Sequence, residues 1–199
     1  LAALFLQEPD AQTLPGQMGW SGRWPSLTTQ FVVGAVGEND LELLATSEFL
    51  INRLRLARTY YSAFNPVTDT PLENLQPENP VRQLRLYQAS FLLRDYGFQA
   101  EDFPLTPSGA LPLDTDPKQA WALRHLAQSP LELNRADYLQ LLRVPGIGPQ
   151  RAQALITARR RHRLVQPEDL RALGIPIERA APFILLAGRR PTHQPRLFW

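Results

Sequence analysis

Val144-Pro-Gly-Ile-Gly-Pro149 stands between two stretches of helical apolar spacing and constrains this chain more than any other six residues. Pro145 has no N–H and biases the residue before it away from helix, so the first helix must stop there. Gly146 and Gly148 can take positive φ and leave the backbone uncovered. Pro149 has the φ that suits a first helical position. Leu142–Ile156 therefore reads as helix, tight hairpin, helix. Ile147 is expected inward, and Ala152, Leu155 and Ile156 form a packing face. Exposed N–H groups in such a turn, followed by the positive end of a helix, suit a phosphate. The candidate backbone-binding residues are Val144, Pro145, Gly146, Ile147 and Gly148, with Gln150 and Arg151 in the next turn. Arg159, with Arg160, Arg161 and Arg163, lies two to three turns further on, placed for a neighbouring phosphate or partner strand. A tight turn without ligand and a solvated arginine face are the alternatives.

Charge separates along the chain. The total is +2, with 21 basic and 19 acidic residues. From Asn134 to Trp199 there are 12 arginines against four acids, a balance of +8; the preceding residues hold nine against 15, a balance of −6. A basic end on an acidic body is the footprint of a phosphate-binding module. Lys118 is the only lysine, so an arginine-rich genome accounts for the choice of arginine but not for its position. Cysteine is absent and the three histidines are scattered, which excludes disulfides, zinc–thiolate sites and a cysteine-held iron–sulfur cluster within this chain. No apolar run is long enough to span a membrane, no secretory signal is visible, and the cytoplasm is the default compartment. Leu1 in place of methionine sets an expectation of upstream sequence.

The pattern predicts an α+β chain. Residues 1–27 read as irregular. Thr28–Val36 is an apolar β-branched run of strand length; Asn39 or Asp40 caps a helix running to about Ala57; Arg58–Phe64 is a second strand. Strand, helix, strand implies a parallel pair. Two parallel strands need further packing partners, and the chain supplies them only in part. Residues 28–75 thus form a β-α-β unit and a proline-bearing linker. Residues 76–187 read as an all-helical domain with its core at 134–187, and 188–199 as a tail. Within the helical part, Asn79-Pro80 opens a helix closed by Gly97, with Leu84, Tyr87 and Phe91 along one face. Asp116-Pro117 opens the next, and Asn134 a third with Tyr138, Leu141 and Leu142 inward. Pro149–Arg161, Pro167–Leu173 and Glu178–Leu186 follow.

Residues Asn134–Ile175 resemble the helix-hairpin-helix modules of DNA repair and uptake proteins, whose hairpin amides bind the DNA backbone without reading sequence. The apolar-Pro-Gly-apolar-Gly-x-x-x-Ala pattern is complete. Such hairpins normally come in pseudo-symmetric pairs; the second copy would be Leu170–Ala180, which keeps one glycine and reads as structural.

A wider resemblance covers residues 28–187. Thr28-Thr-Gln-Phe-Val-Val-Gly-Ala35, Thr59-Tyr-Tyr-Ser-Ala-Phe-Asn-Pro-Val67, Arg85-Leu-Tyr-Gln-Ala-Ser-Phe-Leu-Leu-Arg-Asp-Tyr-Gly-Phe98 and Asp116-Pro-Lys-Gln-Ala-Trp-Ala-Leu-Arg-His125 are similar to segments in the C-terminal portion of a bacterial family of radical-SAM DNA modification and repair proteins. The resemblance implies a partial (β/α) barrel followed by a helix-hairpin-helix domain. It also implies S-adenosylmethionine and a 4Fe–4S cluster bound by an N-terminal portion with three cysteines, which this chain lacks. A cysteine-bearing N-terminal half or partner chain is then expected. Gly34, Gly37 and Glu38 after the first strand, and Ser62 and Asn65 at the second, become candidate cofactor or substrate contacts, with ordinary strand-end turns as the alternative. The ending Gln194-Pro-Arg-Leu-Phe198 is similar to peptides that dock on the replication sliding clamp, making Gln194, Leu197 and Phe198 candidate clamp contacts. No nucleophile–base pair, metal-ligand spacing or phosphate loop argues for an independent enzyme. Three functions remain: the DNA-binding part of a larger repair enzyme, a stand-alone DNA-binding protein, and a protein-interaction module with a plain turn.

Overall fold

The computed structural model describes residues 26–191 and is a mixed α+β structure. β1 (Thr28–Val33) and β2 (Arg58–Ala63) pair in parallel, from Thr28 opposite Arg58 to Val33 opposite Ala63, as the strand–helix–strand pattern predicts. Between them runs α1 (Asp40–Leu54), whose start is fixed by a reciprocal cap: Asn39 Oδ1 accepts from the Glu42 N–H, and the Glu42 carboxylate from the Asn39 N–H. The helix stops three residues before the expected Ala57 because Arg55 turns left-handed, at φ 52°, and its N–H caps the Leu50 carbonyl. Strand alternation buries Val33, Thr59 and Tyr61 on one face. Phe31 stacks on Tyr61, Tyr87 meets the Tyr61 ring edge-on, and the Tyr61 hydroxyl shares a 2.7 Å hydrogen bond with Ser47 of α1.

α2 (Pro80–Asp95) begins at Asn79 and Pro80 as expected, with Asn79 accepting from the Val81 N–H. Of the expected Leu84, Tyr87 and Phe91 line, only Tyr87 packs against the core. Leu86, Ala89, Leu92 and Leu93 are buried, whereas Leu84 and Phe91 are 51% and 41% exposed. The helix is apolar on more than one side, so its spacing alone could not select a face. The inward residues join Val33, Leu44 and Tyr61 in one apolar cluster that continues through Phe98, Phe103 and Leu111. The β1–β2 sheet is therefore covered on one face by α1 and α2. Its other face carries Val32, 55% exposed, and Tyr60, 37% exposed.

The second cluster is built from α3 (Pro117–His125), α4 (Tyr138–Arg143), α5 (Pro149–Arg159), α6 (Pro167–Ala172) and α7 (Ile177–Ala180). Asp116 caps α3 by accepting from the Gln119 N–H. Tyr96 and Trp121 pack against both clusters and join them. Three helical expectations change here. The region is not all-helical: β3 (Leu131–Glu132) pairs in parallel with β4 (Ile184–Leu185), closing the cluster where a final helix was expected to run on. α4 starts at Tyr138 with Asp137 as its cap and Gln140 completing the box, so Asn134 is not a cap. Asn134 instead bridges β3 to the segment after α5, donating to the Leu164 carbonyl and accepting from its N–H. Tyr138, expected inward, is exposed because it occupies the first position of a six-residue helix whose Leu141 and Leu142 fill the core. Gly97 and Gly174 take positive φ at the ends of α2 and α6, as helix-closing glycines do.

Candidate nucleic-acid interface

The α4–α5 turn is built as a rigid loop on the second core. Val144 is extended, as a residue before proline should be, and its carbonyl accepts from the Ile147 N–H at 3.1 Å. The side chains of Val144, Pro145 and Ile147 are buried, so these three candidates can offer a ligand only their backbone. The two glycines differ. Gly146 alone is left-handed, at φ 85°; Gly148 is extended and serves as the side-chain-free cap of α5. Both are also tightly approached. A Cβ on Gly146 would lie 2.8 Å from Pro176 Cγ, and one on Gly148 would lie 3.2 Å from the Tyr96 hydroxyl.

The turn's polar groups are sorted by sign. Two of its carbonyls are held by cationic side chains: Lys118 Nζ donates to Ile147 O at 2.6 Å, and the Arg151 guanidinium to Gly146 O at 3.0 Å. The N–H groups of its two glycines are not held. Among the described residues, no acceptor receives the Gly146 or Gly148 N–H, and the first backbone bond returning to the turn is from Ala152 N–H to Gly148 O, at 2.8 Å. Helix geometry leaves the Gln150 and Arg151 N–H groups free in the first turn, and both side chains are exposed beside them. The outcome is a set of unpartnered N–H donors beside the Arg151 guanidinium and the Lys118 amine, an arrangement suited to an anion.

Lys118 is what the sequence reading passed over. It lies against the Tyr96 ring, with Nζ 4.7 Å from the centroid. Burial pushes its pKa down to about 7, and Arg179 adds to the fall while Asp116 opposes it. Arg179 itself pairs with Asp116 at 3.3 Å. The one available signal was that the chain's single lysine stands in the first turn of α3.

Arginines of the basic end divide by role. Arg159, a candidate DNA contact, donates at 2.7 Å to both the Leu133 and Ala136 carbonyls and so staples the end of α5 to the loop before α4. Arg143 pairs with Asp102 and lies over the Phe98 and Trp121 rings. Arg160, Arg161 and Arg163 are exposed.

The strand-end candidates come together in part. Gly34 is left-handed, and its N–H donates to the Glu38 carboxylate, which also accepts from Val36. Although burial acts to raise it, these N–H donors and nearby Arg82 hold the Glu38 pKa below the usual carboxylate range. Arg82 in turn pairs with buried Asp40 at 2.7 Å and with Glu78, and a Cβ on Gly34 would collide with Glu78. Glu38 and Gly34 are thus engaged in holding the loop. Gly37 is left-handed in open space, Ser62 is half-buried in register with Val32, and Asn65 is exposed. Gln194, Leu197 and Phe198 lie outside the described residues.

Among the described residues, no helix is long and apolar enough to cross a membrane, and no group of three or more His, Asp or Glu side chains could hold a metal ion. In comparisons with family models, curated proteins and solved structures, the chain matches none.

Proposed function

We propose that the α4–α5 turn binds the phosphodiester backbone of DNA in a sequence-tolerant manner, as a helix-hairpin-helix element. The observation that carries this reading is the sorting of the turn: the Ile147 and Gly146 carbonyls are engaged by Lys118 and Arg151, while the Gly146 and Gly148 N–H groups have no acceptor among the described residues. Gln150 and Arg151 supply side-chain contacts to the same phosphate. Residues 28–64 are read as the two-strand remnant of a (β/α) barrel in a radical-SAM DNA repair or modification protein. Its half-covered parallel sheet supports that reading, because such sheets are ordinarily covered on both faces. An iron–sulfur cluster needs thiolates and this chain has none, so the residues present do not fit the cluster, and no chemistry is assigned to them. The cysteine-bearing half, S-adenosylmethionine and the sliding clamp belong to the same proposal as partners of the longer assembly.

A second reading is favoured by the fit of Gly146 against Pro176 and of Gly148 against Tyr96: the turn serves packing, and the basic end meets a protein. Fluorescence anisotropy with two unrelated 20-base-pair duplexes at 50 and 200 mM salt separates them. DNA binding through phosphates gives equal affinities for the two sequences and a log–log salt slope of about −0.9 per phosphate contacted. Arg151→Glu should weaken binding sharply while leaving the fold intact, since an acid suits the first turn of a helix. Unchanged affinity in that variant removes the hairpin from the interface.

A further inference from the structure

A basic groove lies at the opposite end of α5 from the turn. It has a volume of roughly 770 Å³, and its walls are Arg135, the segment Arg160–Arg163 and the Ala187–Gly188 loop. The walls are pinned by hydrogen bonds to backbone and amide groups rather than by ion pairs. Arg159 ties the helix end to the Leu133 and Ala136 carbonyls, and Asn134 ties Leu164 to β3. The one acid in the groove, Glu132, accepts from the Asn134 N–H and side-chain amide and from the Ala187 and Gly188 N–H groups. Burial acts to raise its pKa, but those donors hold it below the usual range. Four donors thus hold the carboxylate within the wall, and among the described residues it makes no salt bridge with the arginines. Among the described residues, no acidic side chain forms a salt bridge with Arg135, Arg160, Arg161 or Arg163. Four exposed, unpaired guanidinium groups around a fixed concavity repel one another unless an anion enters, and guanidinium forks match phosphate oxygens.

The groove is connected to the turn. A shallow second groove follows α5 from Pro149 and Gln150 past Gln153 and Thr157 to Arg161, which lines both depressions. Gln150, Gln153 and Thr157 are spaced i, i+3 and i+7 and so share one helix face. This path has no acid on it; besides these polar groups it is lined by Tyr138, Leu173 and small apolar side chains. The ten residue steps from Pro149 to Arg159 span about 15 Å at ~1.5 Å each, equal to about four base pairs at ~3.4 Å per pair.

We propose that this arginine groove is a second phosphate site for nucleic-acid backbone, reached from the α4–α5 turn along the Gln150–Gln153–Thr157 face of α5. The path rests on the hairpin reading given above; the groove stands on its own geometry. One protein then holds two phosphates of a duplex about four base pairs apart, and fixes the direction in which DNA crosses α5.

The test follows backbone amides of the full chain by NMR during titration with a 12-base-pair duplex, with inorganic phosphate and with polyglutamate. Ala187, Gly188, Arg161 and Arg163 report the groove, and Gly146 and Gly148 the turn. DNA is expected to shift both sets. Arg160→Ala with Arg163→Ala, both exposed positions, should silence the groove set, keep the turn set, and flatten the salt slope by about 1.8 for two lost contacts. Groove shifts without turn shifts would support the groove and sink the hairpin reading. Turn shifts with a silent groove overturn the second site. A groove that answers inorganic phosphate but not DNA overturns nucleic acid as the source. Shifts by polyglutamate matching those by DNA at equal charge overturn phosphate recognition in favour of an acidic protein.

Discussion

Lys118 Nζ donates to the Ile147 carbonyl at 2.6 Å from beneath the α4–α5 turn, in a setting where burial has lowered its pKa to about 7. An anion bound above the turn would favour the charged form and draw a proton onto this amine. Affinity for DNA should therefore fall as pH rises through about 7. Measuring the dissociation constant at pH 6 and pH 8.5 checks this, and Lys118→Met should remove most of the difference. The same group affects stability with the opposite sign. Its folded pKa lies below the unfolded value of 10.5, so the unfolded chain holds the extra proton between those values, and stability rises with pH from about 7 to about 10. Lys118→Met should flatten that rise in thermal melts. A variant that keeps both dependences places their origin elsewhere.

Gly146 and Gly174 provide an internal comparison for the cost of the turn. Both are left-handed, at φ 85° and 69°, but only Gly146 is crowded; Gly174 faces open space. Gly174→Ala should cost about 1 kcal/mol, the price of φ alone. Gly146→Ala adds the 2.8 Å approach to Pro176 Cγ and should cost about 1–3 kcal/mol more. Pro176→Ala in the Gly146→Ala background should return that increment and leave the φ cost. Urea midpoints measure all four proteins. Equal losses at the two glycines would mean that the Pro176 contact gives way freely.

Local signals were legible and distant ones were not. The caps at Asn39, Asn79 and Asp116 and the inward Ile147 follow from residues within a few positions of each other, and the parallel strand pair from the order strand, helix, strand. Asn134 has the composition of a cap, yet its partner is Leu164, thirty positions away. Tyr96 and Lys118 meet under the turn from two other helices, and Glu132 pins a loop fifty-five positions on at Ala187. No local pattern encodes such meetings. The glycines of the turn show how one motif can answer to two physical demands, since uncovered N–H groups and close packing both require a missing Cβ.

Glu132, Glu38 and Asp169 should set the acid limit of the fold. Backbone N–H donors outweigh burial at both glutamates and lead the causes at Asp169, so all three pKa values lie below their ordinary positions. A depressed folded pKa gives stability that is present above the unfolded value and lost as pH falls through the folded one. The loss should therefore begin below about 4.5, the ordinary glutamate value. Ala187 and Gly188 donate to different oxygens of Glu132, so Glu132→Gln turns one of those acceptors into a donor and should lower stability at pH 7 while making the decline from pH 5 to pH 3 shallower. Denaturant titrations at those three pH values check it, and a parallel decline in the variant would clear Glu132 of any part in acid sensitivity.

Among the described residues, Arg82 is the only cation paired with Asp40, which is fully buried and also accepts from the Leu111 N–H at 2.7 Å. Arg82→Met keeps the aliphatic stem but strands that carboxylate, and breaking a buried pair in this way costs about 3–5 kcal/mol. The same change frees Glu78 and Glu38 near the ends of β1 and β2, adding like-charge repulsion. Asp40→Asn in the Arg82→Met background should recover part of the loss, because a neutral amide has less to gain from a cation. Chemical denaturation of the wild type, both single variants and the double closes the cycle. A double variant no more stable than Arg82→Met would show that the loss comes from the freed glutamates or the missing guanidinium bonds to the Glu38 carbonyl, and not from Asp40.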